Sequence, residues 1–136
     1  MERGNYKQIE DMRSALMDAY RKVYRFCWTQ QEAWEKAVRS EAPRYYVSAK
    51  SAYLVLLPMA RGDRSHLEGM VPEKKRMYES LFERVMEAAQ RPEFLGCSLR
   101  SIIPHVINEK APEFFIGSES IRKTFRHMRR RQRTKI

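Results

Sequence analysis

The C-terminal fifteen residues hold the densest group of chemically active side chains in the sequence. Residues 122–136 contain eight basic side chains and no acidic one, which is a charge of +8. The formal net charge of all 136 residues is +10, so residues 1–121 carry only the remaining +2. Arginine presents forked hydrogen-bond donors that match phosphates and guanine edges. A surface that only keeps a protein soluble mixes both signs, so this pattern favours a nucleic-acid-binding segment.

The candidate nucleic-acid-binding residues share one short stretch and one charge: Arg122, Lys123, Arg126, Arg129, Arg130, Arg131 and Arg133. Ile121, Phe125 and Met128 recur among them at helical spacing. We therefore predict a helix that packs one apolar stripe inward and directs its cations outward. Arg122 and Arg126, near its beginning, are the candidates for reading base edges in the major groove. The alternative is a solvated charged helix without a partner.

Aromatic and basic side chains also meet at residues 42–59, APRYYVSAKSAYLVLLPM. Arg44 and Tyr45 are possible accessory contacts, the cation for a phosphate and the ring for base stacking. The alternative is structural. One ring of each aromatic pair, Tyr45/Tyr46 and Phe114/Phe115, would then pack into a core while the next ring points outward or lies against the other aromatic segment.

The sequence gives little support to catalysis. Its three histidines, His66, His105 and His127, lie in different predicted elements without metal-ligand spacing, and it contains no Gly-rich phosphate loop, HExxH or GxSxG motif. We therefore expect no enzyme, no metal, no cofactor and no small-molecule substrate. Cys27 and Cys97 are the only cysteines, and two cysteines predict free thiols rather than a disulfide framework.

The charge of the N-terminal stretch and the length of the apolar runs indicate where in the cell the protein is expected. The N-terminal stretch MERGNYKQIEDM is charged and predicts no secretion signal. The longest strongly apolar run, residues 52–60, is too short to span a bilayer. We expect a cytoplasmic protein that does not bind membranes.

A repeated sequence motif indicates which elements position the cations. APRYYVS at Ala42–Ser48 recurs as APEFFIG at Ala111–Gly117, an offset of 69 residues. At the same offset Thr29 matches Ser98, and both are good helix N-caps. The apolar positions after the caps also match: Ala33, Trp34, Ala37 and Val38 against Ile102, Ile103, Val106 and Ile107. The sequence therefore predicts an internal duplication that relates residues 9–59 to 78–128.

Each copy is expected to hold three helices, because helix-forming residues dominate and alternating β-branched runs are scarce. The predicted fold is all-α, a helical bundle of two tandem three-helix repeats with a basic C-terminal helix. Residues 1–62 would form a scaffold or interface repeat and residues 63–72 a linker. Residues 73–136 would form the second repeat.

The third helix of the first copy, residues 48–59, differs from its basic counterpart. Five consecutive apolar side chains occur in it: Tyr53, Leu54, Val55, Leu56 and Leu57. A helix that is apolar on nearly all sides is buried in a core or at an interface. We therefore expect this run to be buried within the monomer or in a homo-oligomer.

The segments WTQQEAWEKAV (28–38) and IGSESIRKTFRHMRRR (116–131) resemble small helix-turn-helix DNA-binding proteins of phages and mobile elements, including small terminase subunits. The resemblance implies a helix-turn-helix near one end and helices used for assembly. Together with the charge, it favours a non-enzymatic nucleic-acid-binding protein, with DNA preferred over RNA. The alternative is an assembly or adaptor protein of a phage or mobile element, in which the apolar helix 48–59 packs against a partner.

Overall fold

The computed structural model describes residues 3–117, 120–123 and 125–126, and within these ranges the chain is largely helical and has no β-strand. Five α-helices, α1 to α5, span Arg3–Val23, Gln30–Val38, Ala49–Ala60, Pro72–Ala88 and Leu99–Ile107. Short 3-10 helices lie at Tyr24–Phe26, Ser65–Leu67 and Pro92–Phe94. Residues 120–123 and 125–126 are also helical and are called the C-terminal segment. The predicted all-α fold is confirmed.

Short side chains begin three of the helices. Thr29, Ser48 and Ser98 precede α2, α3 and α5, and each hydroxyl accepts a hydrogen bond from the backbone N–H three residues later. These bonds satisfy amides that a helix leaves unpaired in its first turn. At α2 the Glu32 carboxylate also accepts the backbone N–H of Trp28 at 3.0 Å. The caps predicted at Thr29 and Ser98 are therefore confirmed.

The contacts of the chain group it into two compact units. Unit 1 is built from two separate stretches, residues 1–40 and 112–136, and unit 2 from the continuous stretch 41–111. Among the described residues, unit 1 holds α1, α2 and the C-terminal segment. Unit 2 holds α3, α4 and α5.

This grouping differs from the predicted division into residues 1–62, 63–72 and 73–136. The third helix of each predicted repeat belongs to the unit that contains the first two helices of the other repeat. The predicted linker is also no free linker, because Leu67 within it is only 4% exposed and lies inside unit 2. The basic segment therefore packs with residues 1–40, the part that the sequence assigned to a scaffold.

The core of unit 2 comes from one face of each of its helices and from the adjoining connectors. Its buried helical residues are Ala52, Leu56 and Met59 in α3, Met77, Tyr78, Leu81, Val85 and Ala88 in α4, and Ile102, Ile103, Val106 and Ile107 in α5. In the connectors, Ala42 and Ala111 form an isolated antiparallel bridge, each N–H donating to the other carbonyl at 2.9 Å.

The helix α3 is buried on one side only. Leu56 is fully buried, whereas Leu54 is 59% exposed. Tyr53, Val55 and Leu57 are half-buried, and the Arg100 guanidinium lies 4.6 Å from the centre of the Tyr53 ring. The run Tyr53–Leu57 is therefore not wholly buried within the monomer, and burial of Leu54 in a homo-oligomer stays a prediction. Five consecutive side chains point to every side of a helix. The monomer fully buries only the side that carries Leu56.

Several structural details repeat at the offset of 69 residues. The Phe114 N–H donates to the Val38 carbonyl in unit 1, and the Tyr45 N–H donates to the Ile107 carbonyl in unit 2, both at 2.9 Å. The helices α2 and α5 each contain nine residues and start at positions 30 and 99. These correspondences agree with the duplication, which stays a prediction from the sequence.

Candidate nucleic-acid interface

The C-terminal segment is fixed to unit 1 by its apolar stripe. Ile121 and Phe125 are 3% and 2% exposed, and the Ile121 N–H donates to the Gly117 carbonyl at 3.2 Å. On the other sides of the same segment, Lys123 and Arg126 are exposed. The predicted arrangement of an inward apolar stripe with outward cations is therefore present in the described residues.

Arg122 is half-buried and directed towards α2. Its Nη1 donates a hydrogen bond to Oε1 of Gln31, and Nε2 of Gln31 donates to Oε1 of Glu35 at 3.0 Å. Because the Gln31 amide nitrogen is engaged by Glu35, its oxygen is left to face Arg122. The sequence analysis missed Gln31. No local pattern could have found it, since it lies 91 positions before Arg122.

A small cavity lies between the start of α2 and the C-terminal segment. It measures about 70 Å³ and is lined by Gln30, Trp34, Arg122, Phe125 and Arg126. Two arginines and one glutamine line it, and no acidic residue is among the described residues of the lining. Thr29 already caps the Glu32 N–H in the first turn of α2, and the start of this helix adds a partial positive charge. The electrostatics of this cavity therefore suit an anion.

The size of the cavity restricts what enters it. Since a water molecule occupies about 30 Å³ in the liquid, a volume of about 70 Å³ holds roughly two waters. Pockets for drug-sized ligands typically begin at about 300 Å³. The volume of the cavity therefore matches one phosphate group rather than a drug-sized ligand.

Four stacked aromatic rings support this surface from inside unit 1. The ring of Trp34 lies 3.8 Å from that of Tyr20 and 4.6 Å from that of Phe125, centre to centre, and Tyr20 stacks on Tyr24 at 5.9 Å. Within the described part of the chain, the buried Nε1 of Trp34 has no hydrogen-bond partner. The stack links the C-terminal segment to α1 through the ring of Trp34.

The other predicted contact residues are either outside the described residues or part of unit 2. Arg129, Arg130, Arg131 and Arg133 lie outside the described residues. Arg44 is half-buried; its Nε donates to the Tyr45 carbonyl at 3.2 Å, and its guanidinium lies 5.8 Å from the centre of the Tyr46 ring. Arg44 and Tyr45 belong to unit 2, whereas Arg122, Lys123 and Arg126 belong to unit 1.

Tyr45 is not a stacking residue, so that prediction is wrong. It is 1% exposed, and its hydroxyl shares a 2.8 Å hydrogen bond with the hydroxyl of Ser80. The structural alternative is confirmed instead. The first ring of each pair, Tyr45 or Phe114, is buried, and the second, Tyr46 or Phe115, is half-buried.

The exposed connector between α1 and α2 adjoins this surface along the chain. Tyr24, Phe26 and Trp28 are 53%, 78% and 95% exposed. Trp28 immediately precedes Thr29, the residue that caps α2, and Gln30, which lines the cavity, follows the cap. The exposed rings therefore lie at the same end of α2 as the cavity.

Other kinds of site find little support in the described residues. They contain no group of three or more His, Cys, Asp or Glu side chains placed to hold a metal ion, and Cys27 and Cys97 are free thiols. None of the described helices combines the length and apolarity needed to cross a membrane. Comparison of the chain with protein-family models, curated proteins and solved structures finds no match.

Proposed function

We propose that the protein binds nucleic acid, DNA in the first instance, through the surface formed by the C-terminal segment and the first turn of α2. The observation that carries the proposal is the cavity of about 70 Å³ that Arg122 and Arg126 line, with no acidic residue among the described residues of its lining. Phosphate oxygens are acceptors only, and arginine binds them with charge-assisted bonds.

The exposed cations on the same segment extend this binding surface. Lys123 and Arg126 face solvent, so a phosphate reaches them without any rearrangement of the core. Gln31 positions Arg122 beside the cavity, so less side-chain freedom is lost when an anion binds. Base reading by Arg122 and Arg126 remains part of this proposal.

Salt dependence tests the proposal directly. Each phosphate contact contributes about −0.9 to the slope of log K against log salt for duplex DNA, and about −0.7 for single strands. Fluorescence anisotropy of labelled oligonucleotides between about 50 and 200 mM salt measures this slope. We expect Kd near the micromolar range at moderate salt.

Replacing Lys123 and Arg126 together by alanine should weaken binding and flatten the slope by about 1.4 to 1.8, because two phosphate contacts are lost. Lys74→Ala, which removes one exposed cation from α4 in unit 2, is the control and should leave the slope unchanged. Absence of binding at about 50 mM salt, or an equal effect of Lys74→Ala, would refute the proposal.

An assembly or adaptor role is the second candidate, and the exposure of Leu54 favours it. Leu54 is 59% exposed in the middle of α3, and an exposed apolar residue that a partner covers contributes to association. In this case Leu54→Glu should shift the elution volume in sizing chromatography to that of a folded monomer, while salt has little effect. An unchanged elution volume at all protein concentrations would exclude self-association through Leu54.

A further inference from the structure

The connector between α1 and α2 exposes three aromatic rings that the chain itself leaves largely uncovered. Tyr24, Phe26 and Trp28 occupy alternate positions, and exposure increases along them to 95% at Trp28. Large aromatic side chains supply much of the apolar area buried in cores and interfaces. Three of them exposed within five residues therefore indicate a contact surface.

The backbone of this connector is held in place, so the rings are presented in a defined way. The Trp28 N–H donates to the Glu32 carboxylate at 3.0 Å, and residues Tyr24–Phe26 form a 3-10 helix. The ring of Tyr24 stacks on Tyr20, the start of the ring stack that ends at Phe125 beside the cavity. The ring stack therefore includes Tyr24 of the connector at one end and Trp34 and Phe125, which line the cavity, at the other.

The side chains that flank the rings along the chain are basic, and the Glu32 carboxylate at the Trp28 backbone N–H is paired with Lys36 at 3.4 Å. Arg21, Lys22 and Arg25 are exposed, and residues 21–28, RKVYRFCW, contain no acidic side chain. Of these cations, Arg21 makes an exposed ion pair with Asp18 at 3.7 Å, a kind of pair that contributes little. A partner with flat apolar groups and negative charges complements this surface.

The matching connector of unit 2 lacks this combination. Residues 89–97, AQRPEFLGC, contain one arginine and one glutamate. Leu95, which lies 69 positions after Phe26, is 68% exposed but aliphatic. The aromatic and basic combination is therefore specific to the unit that carries Arg122 and Arg126.

Unpaired nucleic-acid bases are the partner that fits both features. Bases stack on exposed aromatic rings while cations follow the phosphates, and a duplex hides the base faces that such stacking needs. Trp28 and Gln30 are two positions apart, so their Cα atoms lie within about 7 Å. That span corresponds to about two nucleotides at the 3.4 Å rise of one strand. One strand can therefore contact the rings and the cavity together.

We propose that unit 1 binds single-stranded nucleic acid, with Trp28 and Phe26 stacking on unpaired bases and Arg25, Arg122 and Arg126 contacting the phosphates. This inference rests on the proposed function and narrows it to a class of ligand. A lipid surface is the other partner that exposed aromatic and basic side chains bind. The cavity next to the rings favours nucleic acid, because the arginines that line it can donate hydrogen bonds to individual phosphate oxygens.

The test compares a labelled oligothymidylate of about 20 nucleotides with a duplex of the same length, using the full chain. We expect the single strand to bind more tightly. Trp28→Ala should weaken single-strand binding by roughly 5- to 150-fold, the range for loss of one stacked base, and should leave duplex binding unchanged. Trp28→Tyr should restore most of the affinity, since a tyrosine ring also stacks.

Two matched readouts separate stacking from a general effect. Leu95→Ala removes an exposed side chain of unit 2 at the position that matches Phe26 and should change nothing. Tryptophan emission should be quenched by the oligothymidylate in the unaltered chain and not in Trp28→Tyr, because the quenched fluorophore is the ring that stacks. Circular dichroism should show unchanged helicity in every variant, since these side chains are exposed.

The outcomes distinguish this inference from the proposed function. Equal binding of duplex and single strand, with no effect of Trp28→Ala, overturns the inference and leaves nucleic-acid binding intact. No binding to either oligonucleotide overturns both. Binding to vesicles of phosphatidylcholine and phosphatidylserine that is lost in Trp28→Ala, while single-strand binding is unaffected by that change, overturns the inference in favour of a membrane contact.

Discussion

Replacing Trp34 by alanine tests whether the ring stack holds the C-terminal segment on unit 1. Trp34 is 2% exposed, and truncation of a buried tryptophan typically costs about 3–5 kcal/mol. Loss of its two ring contacts adds about 0.5–1.5 kcal/mol each. Removal of the Nε1 donor, which has no partner among the described residues, offsets about 1–3 kcal/mol of this loss. The last two terms roughly cancel, so we expect a net loss of about 3–5 kcal/mol.

The assay is urea unfolding followed by circular dichroism, with stability obtained by linear extrapolation. Trp34→Phe is the matched variant. It keeps an aromatic ring between Tyr20 and Phe125 and removes the unpaired donor, so it should lose less than half as much stability as Trp34→Ala. Ile103→Ala, at the matching position of α5, should cost about 2–5 kcal/mol as the control in unit 2.

Binding measurements extend the same prediction to function. Because Phe125 precedes Arg126 and packs on Trp34, loosening the stack should also disturb the cations and lower nucleic-acid affinity. Ile103→Ala should leave affinity unchanged under conditions in which both variants are folded. A stability loss below about 1 kcal/mol for Trp34→Ala would contradict the burial argument, since a buried tryptophan cannot be truncated so cheaply.

Buried and exposed residues of α3 should respond differently to truncation. Leu56→Ala should cost about 2–5 kcal/mol and Leu54→Ala on the same helix close to nothing in urea unfolding; equal losses would contradict the one-sided burial of α3. The Trp28 backbone N–H, with help from Lys36, holds the pKa of the Glu32 carboxyl below 4.5. The ionised Glu32 carboxylate therefore stabilises the fold above the ordinary pKa of a glutamate, and this stabilisation is lost as pH falls through the lower pKa of the folded state. A Glu32→Gln variant that loses stability in acid to the same extent as the unaltered chain would contradict this pKa argument. Burial raises the pKa of the Tyr78 hydroxyl above 10.0, so stability should fall as pH rises above about 10 and the unfolded chain ionises first; Tyr78→Phe should reduce this alkaline loss, and an unchanged loss would argue against it.

The local features of the fold could be predicted because each depends on neighbouring residues. The hydroxyls of Thr29 and Ser98 cap helices three residues before their bonded amides, so sequence spacing alone identifies them. The inward stripe of Ile121 and Phe125 follows from helical periodicity in the same way. These are short-range consequences of helix geometry.

The partner of each third helix could not be predicted, because the two candidates carry equivalent apolar stripes. Ala52 and Leu56 in α3 occupy the same spacing as Ile121 and Phe125 in the C-terminal segment. Either stripe suits either pair of preceding helices by periodicity alone. The choice depends on long-range packing, which a local pattern does not contain.

The site was predicted in part for the same reason. The charge run identifies Arg122 and Arg126, whereas Gln31 joins them only through the fold. The exposed ring of Trp28 does have a local signal that the sequence analysis did not use. Aromatic residues alternate with arginine and cysteine directly before a helix cap, where a short connector has few neighbours to cover them.

The discontinuous construction of unit 1 has a consequence during protein synthesis. Residues 41–111 form unit 2 as one continuous stretch, so that unit can fold as soon as it leaves the ribosome. Unit 1 has to wait for Phe125, 85 positions after Ser40, which takes roughly 4–17 s at about 5–20 residues per second. Over that interval α1 and α2 are already made while the apolar face around Trp34 is still without its third helix. Until the C-terminal segment is made, the nascent chain therefore leaves this apolar face uncovered, and the same segment that covers it carries the exposed cations Lys123 and Arg126.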